Sequence, residues 1–159
     1  MIIIGIDPGS RYCGYGLIQM EGRKVLAAGC DVIDVSKEKT LPQRLLLLYN
    51  QICAVLDEYQ PEIAAVESMF FHKQIKSIFT LGHARGVILL ALASKGIDLL
   101  EYSPREIKKS VVGNGNASKA QVRYMINQLY KLKESPRRDD AYDALAIATC
   151  HYNRMKWMV

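Results

Sequence analysis

The chain has 159 residues, 50% of them hydrophobic and 23% charged, with a formal net charge of +5. This length and composition suit one soluble globular domain across residues 1–159 and leave little room for two. The longest apolar stretch, Gly86 to Ser94, is too short to cross a bilayer, and the modest basic excess favours a polyanionic partner without requiring one.

Met1 to Asp7 has no basic segment and meets an aspartate at once, so it does not read as a secretory signal, and a cytoplasmic location is expected. Ile2 to Asp7 is a β-branched run that predicts a buried strand. Pro8-Gly9-Ser10 turns the chain, Gly14 to Met20 predicts a second strand, and Glu21-Gly22-Arg23 is a hairpin signal before a third, Lys24 to Val35. The chain therefore opens as a three-stranded antiparallel meander. From Thr40 to Tyr59 apolar residues fall at 45, 48, 52, 55, 56 and 59, which is helical spacing. Thr40 with Gln43 fits a capping box, Pro42 suits a first turn, and Pro61 ends the region.

Ile63 to Val66 is an apolar strand closing on Glu67. Lys76 to Ala93 predicts a helix stopped by Lys95-Gly96, Asp98 to Tyr102 a short strand, and Arg105 to Val112, Ser118 to Leu132 and Arg138 to Tyr152 three further helices. The expected architecture is an α/β domain with a mixed five-stranded sheet: three antiparallel strands, then two parallel ones, flanked by helices. Gly82 and Gly86 let the second helix meet another element closely; packing on the sheet is the preferred assignment and a dimer interface the alternative. Cys13, Cys30, Cys53 and Cys150 form no CxxC pair and read as small buried thiols rather than a zinc site.

The chemistry points to the acids. Asp7 and Glu67 each close an apolar strand, where a carboxylate is costly unless solvated, paired or metal-bound. Two strands ending in this way can set their carboxylates side by side. In Asp139-Asp140-Ala141-Tyr142-Asp143-Ala144-Leu145-Ala146, Asp140 and Asp143 share a helix face at i, i+3, and Asp139 with Asp143 would do so at i, i+4. Spacing leaves that choice open. Carboxylates in a first turn also complement the helix dipole, which accounts for Asp139 and Asp140 better than for Asp143. Clustered carboxylates repel unless a cation compensates, and oxygen-only ligands select hard ions such as Mg²⁺ or Mn²⁺.

These segments together resemble the RuvC family of Holliday-junction resolvases, within the RNase H-like superfamily. The resemblance runs in order through Ile4-Gly5-Ile6-Asp7-Pro8-Gly9, Val66-Glu67-Ser68-Met69-Phe70-Phe71, Leu81-Gly82-His83-Ala84-Arg85-Gly86, Val111-Val112-Gly113-Asn114-Gly115 and Asp140-Ala141-Tyr142-Asp143-Ala144-Leu145-Ala146. It implies an RNase H-like fold and a crossover junction endodeoxyribonuclease of recombination and repair. Such an enzyme makes paired symmetric nicks in four-way DNA, leaving 5′-phosphate and 3′-hydroxyl ends. It places the family's acids on Asp7, Glu67, Asp140 and Asp143, which would hold two Mg²⁺ ions per site, with Mn²⁺ as a substitute. It further implies a homodimer with one site per subunit, and a branch-migration helicase of the RuvA and RuvB type as partner.

Lys108, Lys109 and Lys119 flank the Gly/Asn-rich loop from Val111 to Ser118, which can approach a phosphate closely next to a helix N-terminus. By resemblance Lys108 and Lys119 are functional lysines, and Lys119 is expected to stabilise transition-state charge or position the scissile phosphate. Phe71 matches the family's junction-contacting aromatic, Phe70 reads as core, and His72, Lys73 and Lys76 would line the same segment. Arg137 and Arg138 read either as phosphate contacts or as a solvated face. Three other classes share features with the chain: an RNase H-like nuclease processing ribosomal RNA, an actin-like ATPase, and a noncatalytic junction-binding module. The ATPase class usually needs two similar halves where this chain supplies one. Phosphate binding alone does not reward a negative cluster, which disfavours the noncatalytic module.

Overall fold

The structure is a computed structural model describing residues 1–68, 75–132, 136 and 138–157, apart from the side chains of 75–77 and 156–157. At its centre is β1 (Ile2–Asp7), whose Ile3, Ile4 and Ile6 are all fully buried. Successive side chains of a strand alternate in direction, so a strand buried throughout must be covered on both faces. The meander follows as read: β2 (Tyr12–Glu21) pairs antiparallel with β1, and β3 (Lys24–Asp34) antiparallel with β2. After α1 (Leu41–Tyr59), β4 (Ile63–Glu67) returns parallel to β1; after α2 (Ile75–Ser94), β5 (Asp98–Tyr102) lies parallel to β4. The helices α3 (Pro104–Val112), α4 (Lys119–Tyr130) and α5 (Asp139–Trp157) complete the chain. The sheet order β3-β2-β1-β4-β5 is the mixed five-stranded sheet expected of the RNase H-like fold.

Each face carries its own core. Ile4, Ile6, Ala64 and Val66 pack with Leu48, Ile52 and Leu56 of α1 and Ala84, Ile88 and Leu92 of α2. On the other face Ile3, Ile18 and Ala65 pack with Ile107 of α3, Val122 and Ile126 of α4, and Tyr142, Leu145 and Ile147 of α5. Each fully buried aliphatic side chain contributes about 1.5–3 kcal/mol relative to exposure. Thr40 caps α1 by accepting from the Gln43 N–H at 3.4 Å, but its hydroxyl donates to Gln43 Oε1, so the expected reciprocal box is half formed. Complete capping boxes occur at Ser103/Glu106 and Ser118/Gln121. Cys13 and Cys150 are buried thiols as expected, whereas Cys30 and Cys53 are only partly covered.

What sets the height of α5 above the sheet is the absence of side chains beneath it. A Cβ added at Gly5 would lie 2.2 Å from the Ala144 carbonyl oxygen, at Gly14 2.0 Å from that of Asp140, and at Gly16 2.4 Å from the Leu145 Cα. The helix backbone therefore rests directly on β1 and β2. The glycines of α2 behave differently. Among the described residues an added Cβ at Gly82 or Gly86 would meet nothing within 4 Å, so the preferred assignment of close packing on the sheet is corrected: these glycines do not lie against it.

Gly16→Ala should therefore force α5 outward and destabilise the protein by about 1–3 kcal/mol, the cost typical of overpacking. Gly29→Ala on β3, where a Cβ meets nothing within 4 Å, should be neutral or slightly stabilising. Denaturant midpoints measure both; equal effects from the two changes would show that the close contact has no special weight.

Candidate active site

Asp7 is the last residue of β1 and Glu67 the last of β4. The two strands are parallel neighbours with Ile6 opposite Val66, so both carboxylates leave the same edge of the sheet on strands about 4.8 Å apart. Asp7 also lies opposite Gly14 of β2, and Gly14 is where the backbone of α5 touches down at Asp140. The contact that lowers α5 onto the sheet thus brings the first turns of that helix over the end of β1.

The electrostatics confirm the convergence. The Asp7 carboxyl is pushed up to about 8, first by burial and then by the charges of Asp143, Glu67 and Asp140, with Lys119 opposing. Asp139 is not among the charges acting on it. Its carboxylate accepts from Arg123 Nη1 at 3.1 Å and its side chain is 61% exposed. Of the three acids that open α5, Asp140 and Asp143 act on Asp7, while Asp139 acts on Lys119 and is paired with Arg123.

Two of these acids are engaged by cations of the chain. Lys119, the first residue of α4 after its Ser118 cap, donates from Nζ to Asp143 Oδ2 at 3.0 Å, and that bond raises its pKa. Arg138 Nε donates to Asp140 Oδ2 at 3.0 Å while its guanidinium lies over the Tyr12 ring, 3.4 Å from the centroid. Among the described residues no three acidic, His or Cys side chains already stand at ligand spacing. The four carboxylates share one electrostatic neighbourhood without forming a closed cage. This suits a hard cation such as Mg²⁺, which binds oxygen, keeps several waters and takes one or two carboxylates together with substrate phosphates. With like charges gathered at Asp7 and oxygen donors only, the residues present fit such an ion.

The remaining candidates spread out. Lys108 is half-buried on α3. Lys109 is exposed and lines a cavity with Glu106, Ser110, Asn153 and Arg154. Arg154 is eleven residues beyond Asp143 on α5, about 16 Å at the rise of an α-helix, so Lys109 is not brought to the acids. Phe70, Phe71, His72, Lys73 and Arg137, and the side chain of Lys76, lie outside the described residues. The structure adds residues that sequence reasoning passed over. Arg85, only 8% exposed, donates from Nη1 to the Glu67 carbonyl at 2.8 Å. Tyr12 carries the Arg138 guanidinium, and Arg123 holds Asp139. Ser103-Pro104-Arg105-Glu106 and Ser118-Lys119-Ala120-Gln121 carry legible capping signatures; Arg85 falls in a segment of the family resemblance that gives it no role, and nothing local marks Tyr12.

The chain is similar to known proteins along nearly its whole length. The family model described as crossover junction endodeoxyribonuclease RuvC matches residues 3–151. The RuvC protein of Ruminiclostridium cellulolyticum is 44% identical over 153 residues, covering 96% of this chain and 92% of the relative. That of Legionella pneumophila (strain Lens) is 48% identical over 150 residues, covering 94% and 86%. The structure of Thermus thermophilus RuvC in complex with Holliday junction substrate superposes with a TM-score of 0.87 at 32% identity, covering 98% of this chain and 96% of that one. With a family model spanning nearly its whole length and relatives above 40% identity, the chain belongs to the RuvC family of crossover junction endodeoxyribonucleases.

Proposed function

We propose that this chain resolves Holliday junctions as a single RNase H-like unit over residues 1–159, using Asp7, Glu67, Asp140 and Asp143 to hold divalent cations at the scissile phosphate. The observation that carries the reading is the common field of these four acids at the ends of β1 and β4 and the start of α5. Two Mg²⁺ ions, with Mn²⁺ as a substitute, would activate the attacking water and stabilise the leaving oxygen. Lys119 is held beside Asp143, where its ammonium faces the charge that develops on a phosphate in the transition state. Arg138, bonded to Asp140, supplies a further phosphate contact near the acids, and Lys108 on α3 supplies another. Lys109 meets an arm of the junction farther along α5, and Phe71, Lys73, Lys76 and Arg137 extend the DNA surface. The products carry 5′-phosphate and 3′-hydroxyl ends.

Paired symmetric nicks need two related sites, which a twofold homodimer supplies. The support for a dimer here is the outer face of α2. Phe79 is 67% and Leu90 61% exposed, and with His83, Gly86 and Ala93 they form one stripe at helical spacing. Mid-helix glycine costs about 1 kcal/mol relative to alanine. Gly82 and Gly86 find no use for that cost within the described part of the chain, and a second α2 lying close against them would supply one. We further propose a RuvA and RuvB type helicase as partner and a cytoplasmic location. No described helix is long and apolar enough to cross a membrane.

Asp7→Asn should abolish cleavage of a four-way DNA junction in Mg²⁺ while leaving junction affinity in chelator within a few-fold; a fully active variant would refute the assignment of Asp7. The same change has a signature in stability. An unfolded aspartate ionises near pH 4, whereas folded Asp7 keeps its proton up to about 8. Between those values the folded state binds the extra proton, so stability of the cation-free protein falls as pH rises. Thermal unfolding in chelator should show Tm declining from pH 5 to pH 8 in the parent. The Asn variant should show a smaller decline and be the more stable of the two at pH 8; identical pH profiles would contradict the buried, charge-crowded site. For the dimer, Leu90→Arg should yield a monomer by sedimentation and replace paired nicks with single ones. A dimer that persists places the interface elsewhere.

A further inference from the structure

Arg85 is the described charged residue most withdrawn from water, at 8% exposure, and its guanidinium bonds to the ends of two strands. Burying a guanidinium is costly, and such groups are kept where every donor has a specific task. Here the fork spans two neighbouring strands. Nη1 donates to the backbone carbonyl of Glu67 at 2.8 Å, and Nη2 pairs with Glu101 Oε1 at 2.5 Å. Glu101 lies opposite Val66 in the parallel ladder, one residue before Glu67, and the Ser68 N–H donates to the Tyr102 carbonyl at 2.9 Å. The ends of β4 and β5 are thereby tied to each other and to α2.

The geometry has two sides. Ala65 packs into the core beneath α5, and alternation along β4 sends the Glu67 side chain the same way, toward Asp140 and Asp143. Val66 packs into the opposite core with α1 and α2, and Arg85 approaches from that side. The arginine therefore grips the backbone of Glu67 from behind while the carboxylate points into the acidic cluster. A strand terminus otherwise frays, and a displacement of 1 Å at a ligating oxygen is large against the tolerance of a cation site.

We infer that Arg85 is a positioning residue for cation binding: it fixes the C-terminal end of β4 so that the Glu67 carboxylate is presented to the divalent cation. This rests on the reading of Glu67 as a cation-holding acid. Groups that orient a ligand without touching the metal typically contribute about 10–100-fold in affinity or activity. A role confined to the fold would change stability and leave cation affinity alone.

The test is cation titration of Arg85→Met and Arg85→Lys in the full chain, read in two ways: the Mg²⁺-induced rise in Tm without DNA, and the Mg²⁺ dependence of junction cleavage. The half-saturating Mg²⁺ should rise about 10–100-fold in Arg85→Met by both readouts. Arg85→Lys, which can keep one of the two acceptors, should fall between it and the parent, and junction affinity in chelator should stay within about twofold, well below a 10-fold change. An unchanged Mg²⁺ midpoint in Arg85→Met, whatever its Tm, overturns the inference. If that variant does not fold, Arg85→Lys and Glu101→Gln decide: a raised midpoint supports positioning and an unchanged one in both overturns it. Glu67→Gln separates the two levels. Parent-like cleavage in that variant defeats the acidic-site reading itself, whereas an inactive Glu67→Gln beside a parent-like Arg85→Met defeats only the role of Arg85.

Discussion

The structure depends on a contact made by residues with no side chains. Gly5, Gly14 and Gly16 leave a bare strip across β1 and β2, and the backbone of α5 lies in it at Asp140, Ala144 and Leu145. Helices packed on sheets are ordinarily held off by the side chains of both partners, and here one layer is missing. The consequence is chemical as much as architectural. Lowering α5 onto β1 places the charges of Asp140 and Asp143 where they act on Asp7. A helix held a side chain's thickness higher would leave the same acids on the same face of α5 and move them away from Asp7.

That proximity costs stability in the cation-free protein. Burial and three like charges hold a proton on Asp7 far above the ordinary carboxylate range, and Lys119 and Arg138 relieve part of the repulsion through Asp143 and Asp140. On the proposed reading the open arrangement suits a cation that arrives with its own waters and with substrate phosphate better than a permanent structural ion, which would need a closed set of ligands. The ion pairs at two of these acids are solvent-exposed on the cation's side. The Lys119 side chain is 74% exposed and the Arg138 side chain 44%, so neither is locked in place by its carboxylate.

The two faces of the sheet divide the work. Helices α4 and α5 bring Lys119 and two of the acids to the strand ends, while α1 and α2 buttress the sheet from the other side. Helix α2 has two surfaces: its inner one carries Ala84, Arg85 and Ile88 against the sheet, and its outer one carries Phe79, Gly86 and Leu90. Arg85 reaches from this helix to the end of β4, so the element proposed to meet the partner subunit also supports Glu67. A shift of α2 at a subunit interface would be felt at the strand end through that one guanidinium.

Much was legible along the chain, because strand and helix periods are local properties. The meander, the helix after Thr40, the two parallel strands and the placement of Asp7 and Glu67 at strand ends follow from runs of apolar residues and the turn residues that interrupt them. From spacing alone the acidic pair on α5 was legible as a set of three candidates, and only the family resemblance pointed to Asp140 and Asp143. Asp139 and Asp140 differ by one position, and a helix face is about 100° per residue, so the answer depends on which side of the helix meets the sheet. The alanines of the 139–146 segment permit a close approach to a sheet, and the glycines on β1 and β2, which lie outside that segment, are what they meet. Arg85 lay beyond local reading for a similar reason: a buried arginine is specified by acceptors on β4 and β5, residues 67 and 101 of the same chain, brought together only when the sheet closes. The sequence by itself determined which elements form and which residues could carry the chemistry; the tertiary structure decided which carboxylates face one another, because that depends on the distance between a helix and a sheet.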